Sequence, residues 1–290
     1  MSANRNRSSR WESRMGTNAL PSVFVIGAMK SGTTSVVDAV TAIEGISCGR
    51  IKEPWLFETG RGPMLTSLRV AFNYGIGPGL RLEGTTEYSK FSSSARYAEL
   101  LADRVPHAKI VYVVRDPVDR AISHVRHDYE RGRLDSALSL TGHLQGKPDY
   151  IDNSRYQAIL APWYESFGRQ VFVTRNDRLF ASGAEQHDLL AFIGLETSGT
   201  LTFSSLNQSG SARDLRRAHA AAGLPLYRGF IRPLIPSSLR SRAASALSRG
   251  SEESWVSRYG AEEERASDWL ESELADELEW FSEISRLEAS

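Results

Sequence analysis

Val23-Phe24-Val25-Ile26-Gly27-Ala28-Met29-Lys30-Ser31-Gly32-Thr33-Thr34 is the stretch on which the reading of this chain turns. An apolar, β-branched run breaks at Gly27 into a small, hydroxyl-rich turn, and Val36, Val37, Val40 and Ile43 then recur at helical spacing. The pattern predicts a buried strand, a phosphate-cradling loop and the start of a helix. Loop N–H groups and the positive end of the helix then converge on one point, which favours an anion.

The spacing of Gly27, Gly32 and Thr34 fits the nucleotide-binding pattern G-x-x-x-x-G-K-[ST], but Thr33 stands where the lysine belongs. The cation of this loop is Lys30, three residues earlier, so it approaches a bound anion from another direction. A ligand-free Gly-Ser-Thr turn is the plain alternative for this motif alone.

A second strand-to-helix unit follows. Lys109 to Val114 reads as a buried strand, and Asp116 and Pro117 have the chemistry of a helix N-cap and first helical residue, with Asp119 in the first turn. Arg115 thus lies at the carboxyl end of a strand, where open parallel sheets bind ligands. Ser123 lies eight residues on, near enough to share one ligand. A guanidinium offers a two-pronged fork to a phosphate monoester, and a serine adds one donor. A structural arginine beside a helix cap is the alternative.

Between these units stands Lys52-Glu53-Pro54-Trp55-Leu56-Phe57. Pro54 fixes the backbone while Trp55 and Phe57 seek burial, which places the Glu53 carboxylate near an apolar wall. Leu82 to Tyr88, Leu-Glu-Gly-Thr-Thr-Glu-Tyr, reads as a strand entering a turn whose hydroxyls line a cleft or cap the turn.

The loop with its displaced lysine resembles the 5′-phosphosulfate loop of sulfotransferases that use 3′-phosphoadenosine-5′-phosphosulfate (PAPS). Val113 to His124 resembles that family's 3′-phosphate motif, and Lys52 to Phe57 is similar to the Lys-Glu-Pro-His-Phe-Phe segment of bacterial and heparan-sulfate-type members. Leu82 to Tyr88 resembles the family's Glu-(Ser/Thr)-Pro-x-Tyr segment without its proline. Two motifs in the family's order, about 85 residues apart, make coincidence much less plausible than either alone.

The resemblance implies an α/β fold, a central parallel sheet flanked by helices with a P-loop-like nucleotide site. It implies that Lys30, Ser31, Gly32, Thr33 and Thr34 hold the sulfated end of PAPS, with Lys30 also aiding catalysis. Glu53 becomes the base for the acceptor, and Arg115 and Ser123 the 3′-phosphate ligands. Tyr156 falls near the adenine or 3′-phosphate, and Ser211, Ala212 and Arg213 match a late loop that folds over that phosphate. PAPS is the donor, adenosine 3′,5′-bisphosphate (PAP) the product, and the arrangement requires no metal. His124 and His127 lie at i and i+3 but lack a third ligand at familiar spacing.

Composition fits one large domain: 290 residues, 41% hydrophobic, zero formal net charge. That balance gives no general pull toward nucleic acid or anionic membrane. Charge is uneven, however. Residues 201–250 carry eight Arg against Asp214, and residues 251–290 carry thirteen Asp and Glu against three Arg. The single Cys48 excludes an internal disulfide. No run approaches the roughly 20 apolar residues of a spanning helix, and the polar, Arg-rich start is expected to be neither signal peptide nor membrane anchor. The expectation is a cytoplasmic protein with a disordered tail over 1–18 and a single domain over 19–290.

Within that domain the periodicities predict helices over 94–105, 156–167 and 185–193, a short helix near 65–74, and a strand over 171–174. A flexible excursion over 228–251 and a terminal helix over 261–288 complete it. The function expected is sulfuryl transfer to a hydroxyl or amine on a small molecule or glycan. A P-loop kinase or nucleotide hydrolase, and a non-catalytic nucleotide-binding module, are the alternatives.

Overall fold

The computed structural model describes residues 20–57, 63–74, 79–195, 201–203 and 251–287. The expected tail over 1–18, nearly all of the excursion over 228–251 and the loop Ser211–Arg213 lie outside them. The chain forms two compact units.

The first unit comprises the chain through Arg115, Arg155–Ser204 and the segment from Glu279 onward. It opens with strand β1 (Val23–Gly27) and helix α1 (Thr33–Thr41), followed by β2 (Ile46–Ser47), α2 (Pro63–Tyr74) and β3 (Leu80–Glu83). A 3-10 turn (Thr86–Ser89) leads to α3 (Ser94–Arg104) and β4 (Lys109–Val114). Helices α4 (Pro117–Glu130), α5 (Leu140–Gly146) and α6 (Asp149–Asp152) come next and belong to the second unit. The chain then supplies α7 (Tyr156–Phe167), β5 (Val171–Arg175), α8 (Asn176–Ala181) and α9 (Gly183–Ile193), and ends its described part with α10 (Ser251–Glu273) and α11 (Ala275–Leu287).

All five strands are parallel, in the order β2-β3-β1-β4-β5. β1 pairs with β3 on one side (Phe24 opposite Glu83) and with β4 on the other (Phe24 opposite Ile110). The chain leaves β1 toward β2 on one side and later crosses from β3 past β1 to β4 on the other, and the crevice at such a switch point opens outside the carboxyl ends of the strands. The loop after Gly27 and Arg115 both emerge there.

Side-chain alternation explains the layers. Phe24, Ile26, Ile110, Tyr112 and Val114 pack on one face with Ala98 and Leu101 of α3, the α7 stripe Tyr156-Ile159-Leu160-Trp163-Phe167, and Phe281 of α11. Val23, Val25, Val111 and Val113 face the other way, onto Val36, Val37 and Val40 of α1 and Leu189, Leu190 and Ile193 of α9. Gly194, at φ 90°, ends α9 as a left-handed cap.

In the second unit, α4 begins as its sequence prescribes: Asp116 Oδ1 accepts from the N–H groups of Val118 and Asp119, both at 3.0 Å, with Pro117 in the first turn. Its core joins Val118, Ala121, Ile122 and Val125 to Leu140, Leu144, Tyr150, Trp255, Tyr259, Leu270 and Leu274. The terminal helix starts about ten residues before its expected boundary. Trp255 and Tyr259 bury one face one turn apart, a stripe that flanking Ser and Glu residues hide in the sequence. Leu274 separates α10 from α11, yet its N–H donates to Leu270 and its carbonyl accepts from Leu278, both at 2.9 Å.

Candidate active site

The loop after β1 is built for an anion. Lys30 (φ 75°) and Gly32 (φ 86°) both occupy the left-handed region, at a cost for the lysine of about 1–2 kcal/mol. A side chain on Gly32 would also run into the Phe180 ring, its Cβ lying 2.6 Å from Cζ. Gly32 caps α1 without any side-chain hydrogen bond, and the first turn holds no acidic residue. A helix start presents N–H groups that its own turns cannot satisfy. Ser31 donates its own N–H to the Ala28 carbonyl at 3.1 Å, which closes the turn. Its hydroxyl is fully buried and has no hydrogen-bond partner among the described residues. An orphaned hydroxyl beside an uncapped helix start and a lysine fits the sulfated phosphate end of a donor such as PAPS. Thr33 is buried, Thr34 exposed.

Glu53 lies beside this loop. Lys52 Nζ is 3.4 Å from Glu53 Oε1 and donates to Thr33 Oγ1 at 3.3 Å, while Thr86 Oγ1 donates to the same Glu53 oxygen at 3.2 Å. The tertiary structure thus joins the start of α1, the Lys52–Phe57 segment and the turn after β3. Of these contacts, Lys52 and Thr86 are the ones the sequence does not single out. Thr86 belongs to the turn whose hydroxyls are expected to line a cleft or cap the turn, and its hydroxyl reaches Glu53.

Residues 54–57 are held in place by a buried network. Arg69 on α2 donates through Nη1 to the carbonyls of Pro54 (2.8 Å) and Trp55 (3.0 Å), fixing Trp55 at φ 52°. The Phe57 N–H donates to Tyr88 Oη at 3.2 Å, and Tyr88 donates on to Glu83 Oε1 at 2.7 Å, an oxygen that also accepts from Thr85 at 2.7 Å. Burial raises the Glu83 carboxyl to about 7 against the pull of those hydrogen bonds. Burial likewise lowers the Lys52 ammonium, which the neighbouring Glu53 opposes.

Arg115 closes β4, half-buried, and its backbone carbonyl accepts the Tyr156 hydroxyl at 2.8 Å. Tyr156 is fully buried, edge-on to Tyr112 at 6.0 Å and tilted against Trp280. Its hydroxyl therefore positions the Arg115 backbone. Ser123, in the second unit, is half-buried on α4. His124 beside it is buried edge-on to Tyr150 at 4.7 Å, with Arg120 Nη1 at 3.5 Å from its Nδ1. Burial and that guanidinium push the imidazole well below its usual range, so it is neutral. Among the described residues no three His, Cys, Asp or Glu side chains form a metal-holding group. No helix among them is long and apolar enough to cross a membrane.

Residues 39–198 match the sulfotransferase family model. The chain belongs to the sulfotransferase family. The match starts within α1, past the loop, and takes in Glu53, Arg115, Ser123 and Tyr156. This sulfotransferase-family chain is similar to two mouse proteins, heparan sulfate glucosamine 3-O-sulfotransferase 3B1 and 3A1. Each is 25% identical over 216 residues, which is 71% of this chain and 54% of the relative. The chain spans about half the length of these curated relatives. Its fold is similar to that of a sulfotransferase from Alicyclobacillus acidocaldarius, with a TM-score of 0.55 and 24% identity, covering 70% of this chain and 91% of that one. Family membership disfavours the kinase and nucleotide hydrolase alternatives.

Proposed function

We propose that this chain transfers a sulfuryl group from PAPS to a hydroxyl or amine of an acceptor, with residues 19–290 working as one catalytic domain. The observation that carries the reading is the carboxylate of Glu53 held against the donor loop, through Lys52, at Thr33. A base next to an anion cradle is what in-line group transfer needs.

PAPS supplies an activated sulfuryl group on a phosphate leaving group. The chain's residues do the rest. Glu53 accepts the proton of the acceptor as its oxygen or nitrogen bonds to sulfur. Lys30, with the N–H groups at the start of α1 and the Ser31 hydroxyl, offsets negative charge on the oxygen from which sulfur departs, releasing PAP. On the strength of the sequence motif, Arg115 and Ser123 hold the 3′-phosphate, Tyr156 supports that site through the Arg115 carbonyl, and Ser211–Arg213 complete it. The mouse relatives' names point to a glycan hydroxyl as the acceptor class.

The deciding experiment is a thermal-shift titration without Mg²⁺. PAP at a hundred times its Kd stabilises the protein by about 2.7 kcal/mol, and ATP does little. Stabilisation by MgATP with no response to PAP overturns the reading.

A further inference from the structure

The loop lacks a lysine at the position that nucleotide-binding loops give to one, and Thr33 stands there instead. A lysine reaches that residue all the same, from outside the loop. Lys52 comes from the segment after β2, and its Nζ lies 3.3 Å from Thr33 Oγ1 and 3.4 Å from Glu53 Oε1. Its side chain is 21% exposed, which is low for a lysine.

The route of this side chain is built into the fold. A Cβ on Gly84 would meet Lys52 Cε at 2.9 Å and Cγ at 3.1 Å, and Val37 Cγ2 at 2.9 Å. The Gly84 N–H donates to the Lys52 carbonyl at 3.1 Å. The glycine after β3 thus both anchors the Lys52 backbone and leaves the space its methylenes fill. Thr86 then closes on the Glu53 oxygen that Lys52 approaches. The other groups that act electrostatically on Lys52 are Asp38 of α1 and the Cys48 thiol, and the Glu53 charge acts in turn on the Glu83 carboxyl.

We infer that Lys52 is a positioning residue for the transfer reaction: its ammonium ties the Glu53 base to Thr33 of the donor loop and screens that carboxylate from the anionic donor. This rests on the PAPS reading above. An anion binding at the loop meets the Glu53 carboxylate at short range, and two negative charges so close repel strongly in a partly buried site. The ammonium between them removes that conflict. It also fixes base and donor loop to a common point, so the spacing between them is set before either substrate arrives.

The test is a double-mutant cycle read by calorimetric titration with PAP, in the full chain without Mg²⁺. Lys52→Met keeps the methylenes on Gly84 and removes the charge. It is expected to weaken PAP binding about tenfold, within the range of coupling between groups in contact. Glu53→Gln alone is expected to change PAP affinity less than about threefold, and in the Lys52→Met background to recover most of the lost affinity. Lys52→Arg should restore binding to near that of the unsubstituted protein. A merely structural role for Lys52 predicts no recovery on neutralising Glu53. Should Lys52→Met melt below the assay temperature, Lys52→Gln carries the same cycle. Additive effects, or Lys52→Met binding PAP as the parent does, overturn the inference alone. Failure of the parent protein to bind PAP overturns the donor reading and the inference with it.

Discussion

The hydroxyl of Tyr156 donates to the backbone carbonyl of Arg115 at 2.8 Å, from a side chain with no exposure to solvent. An aromatic at the start of α7 thereby sets the end of β4, where the strand gives way to the arginine assigned to the 3′-phosphate. Tyr156→Phe keeps the packing and removes this one bond. It should cost about 1–2 kcal/mol, the range for losing a buried hydrogen bond to a carbonyl. Chemical denaturation measures the loss, and an unchanged midpoint would show that Arg115 is held by other means.

Arg115 itself is the sharper test of donor recognition. Arg115→Ala should weaken PAP by roughly 1.5–3 kcal/mol, the range for hydrogen bonds to charged groups. The loss should be specific to the 3′-phosphate. Adenosine 5′-monophosphate, which lacks that group, should bind the variant and the parent alike; equal losses for both ligands would remove Arg115 from the 3′-phosphate site.

For Glu53, proton abstraction and donor binding separate cleanly. Glu53→Gln should bind PAP within about threefold of the parent while sulfate transfer from labelled PAPS to an acceptor that the parent sulfates falls by 10²-fold or more, the scale of general-base catalysis. Transfer at the parental rate would mean that another group takes the proton.

Glu83 makes stability depend on pH. Its folded-state carboxyl is raised to about 7 from 4.5, with burial the main cause. The folded protein therefore holds this proton more tightly than the unfolded chain does. That contribution is fully present below pH 4.5 and is lost as pH rises through about 7. The shift corresponds to a loss on the order of 3 kcal/mol. Glu83→Gln cannot ionise, so its stability relative to the parent should improve between pH 5 and 8 by an amount of that order. Parallel stability curves for the two proteins would show that Glu83 stays ionised in the fold.

A local change in the loop is expected to act on both stability and binding. Gly32→Ala places a side chain at φ 86° and against the Phe180 ring. The backbone term alone is about 1–2 kcal/mol, and melting of Phe180→Ala/Gly32→Ala beside the single variant isolates the ring's share. No difference between the two would assign the whole cost to the backbone.

Much of this architecture was legible in residue order. The β1 and β4 runs, the α7 stripe, the Asp116-Pro117 helix start and the Gly194 stop are local signals: side-chain period, capping chemistry and the φ that glycine permits. The displaced Lys30 and the Arg115 to Ser123 spacing carried the family resemblance for the same reason. Trp255 and Tyr259 were missed because polar neighbours mask a stripe whose partners lie more than a hundred positions away in α4 and α5.

The anion loop, the strand-end arginine and a carboxylate worth testing as a base were thus determined by the sequence alone. Which groups meet that carboxylate was decided only in three dimensions. Thr33 and Lys52 are 19 positions apart, and Glu53 and Thr86 are 33 apart. They come together because β3 and β1 run parallel, which brings their carboxyl ends, and the segments leaving them, to one edge of the sheet. No periodicity encodes such a meeting. It depends on strand order, on the room left by Gly84 and on the buried Glu83 network that sets the Glu53 segment, and these exist only once the sheet has formed.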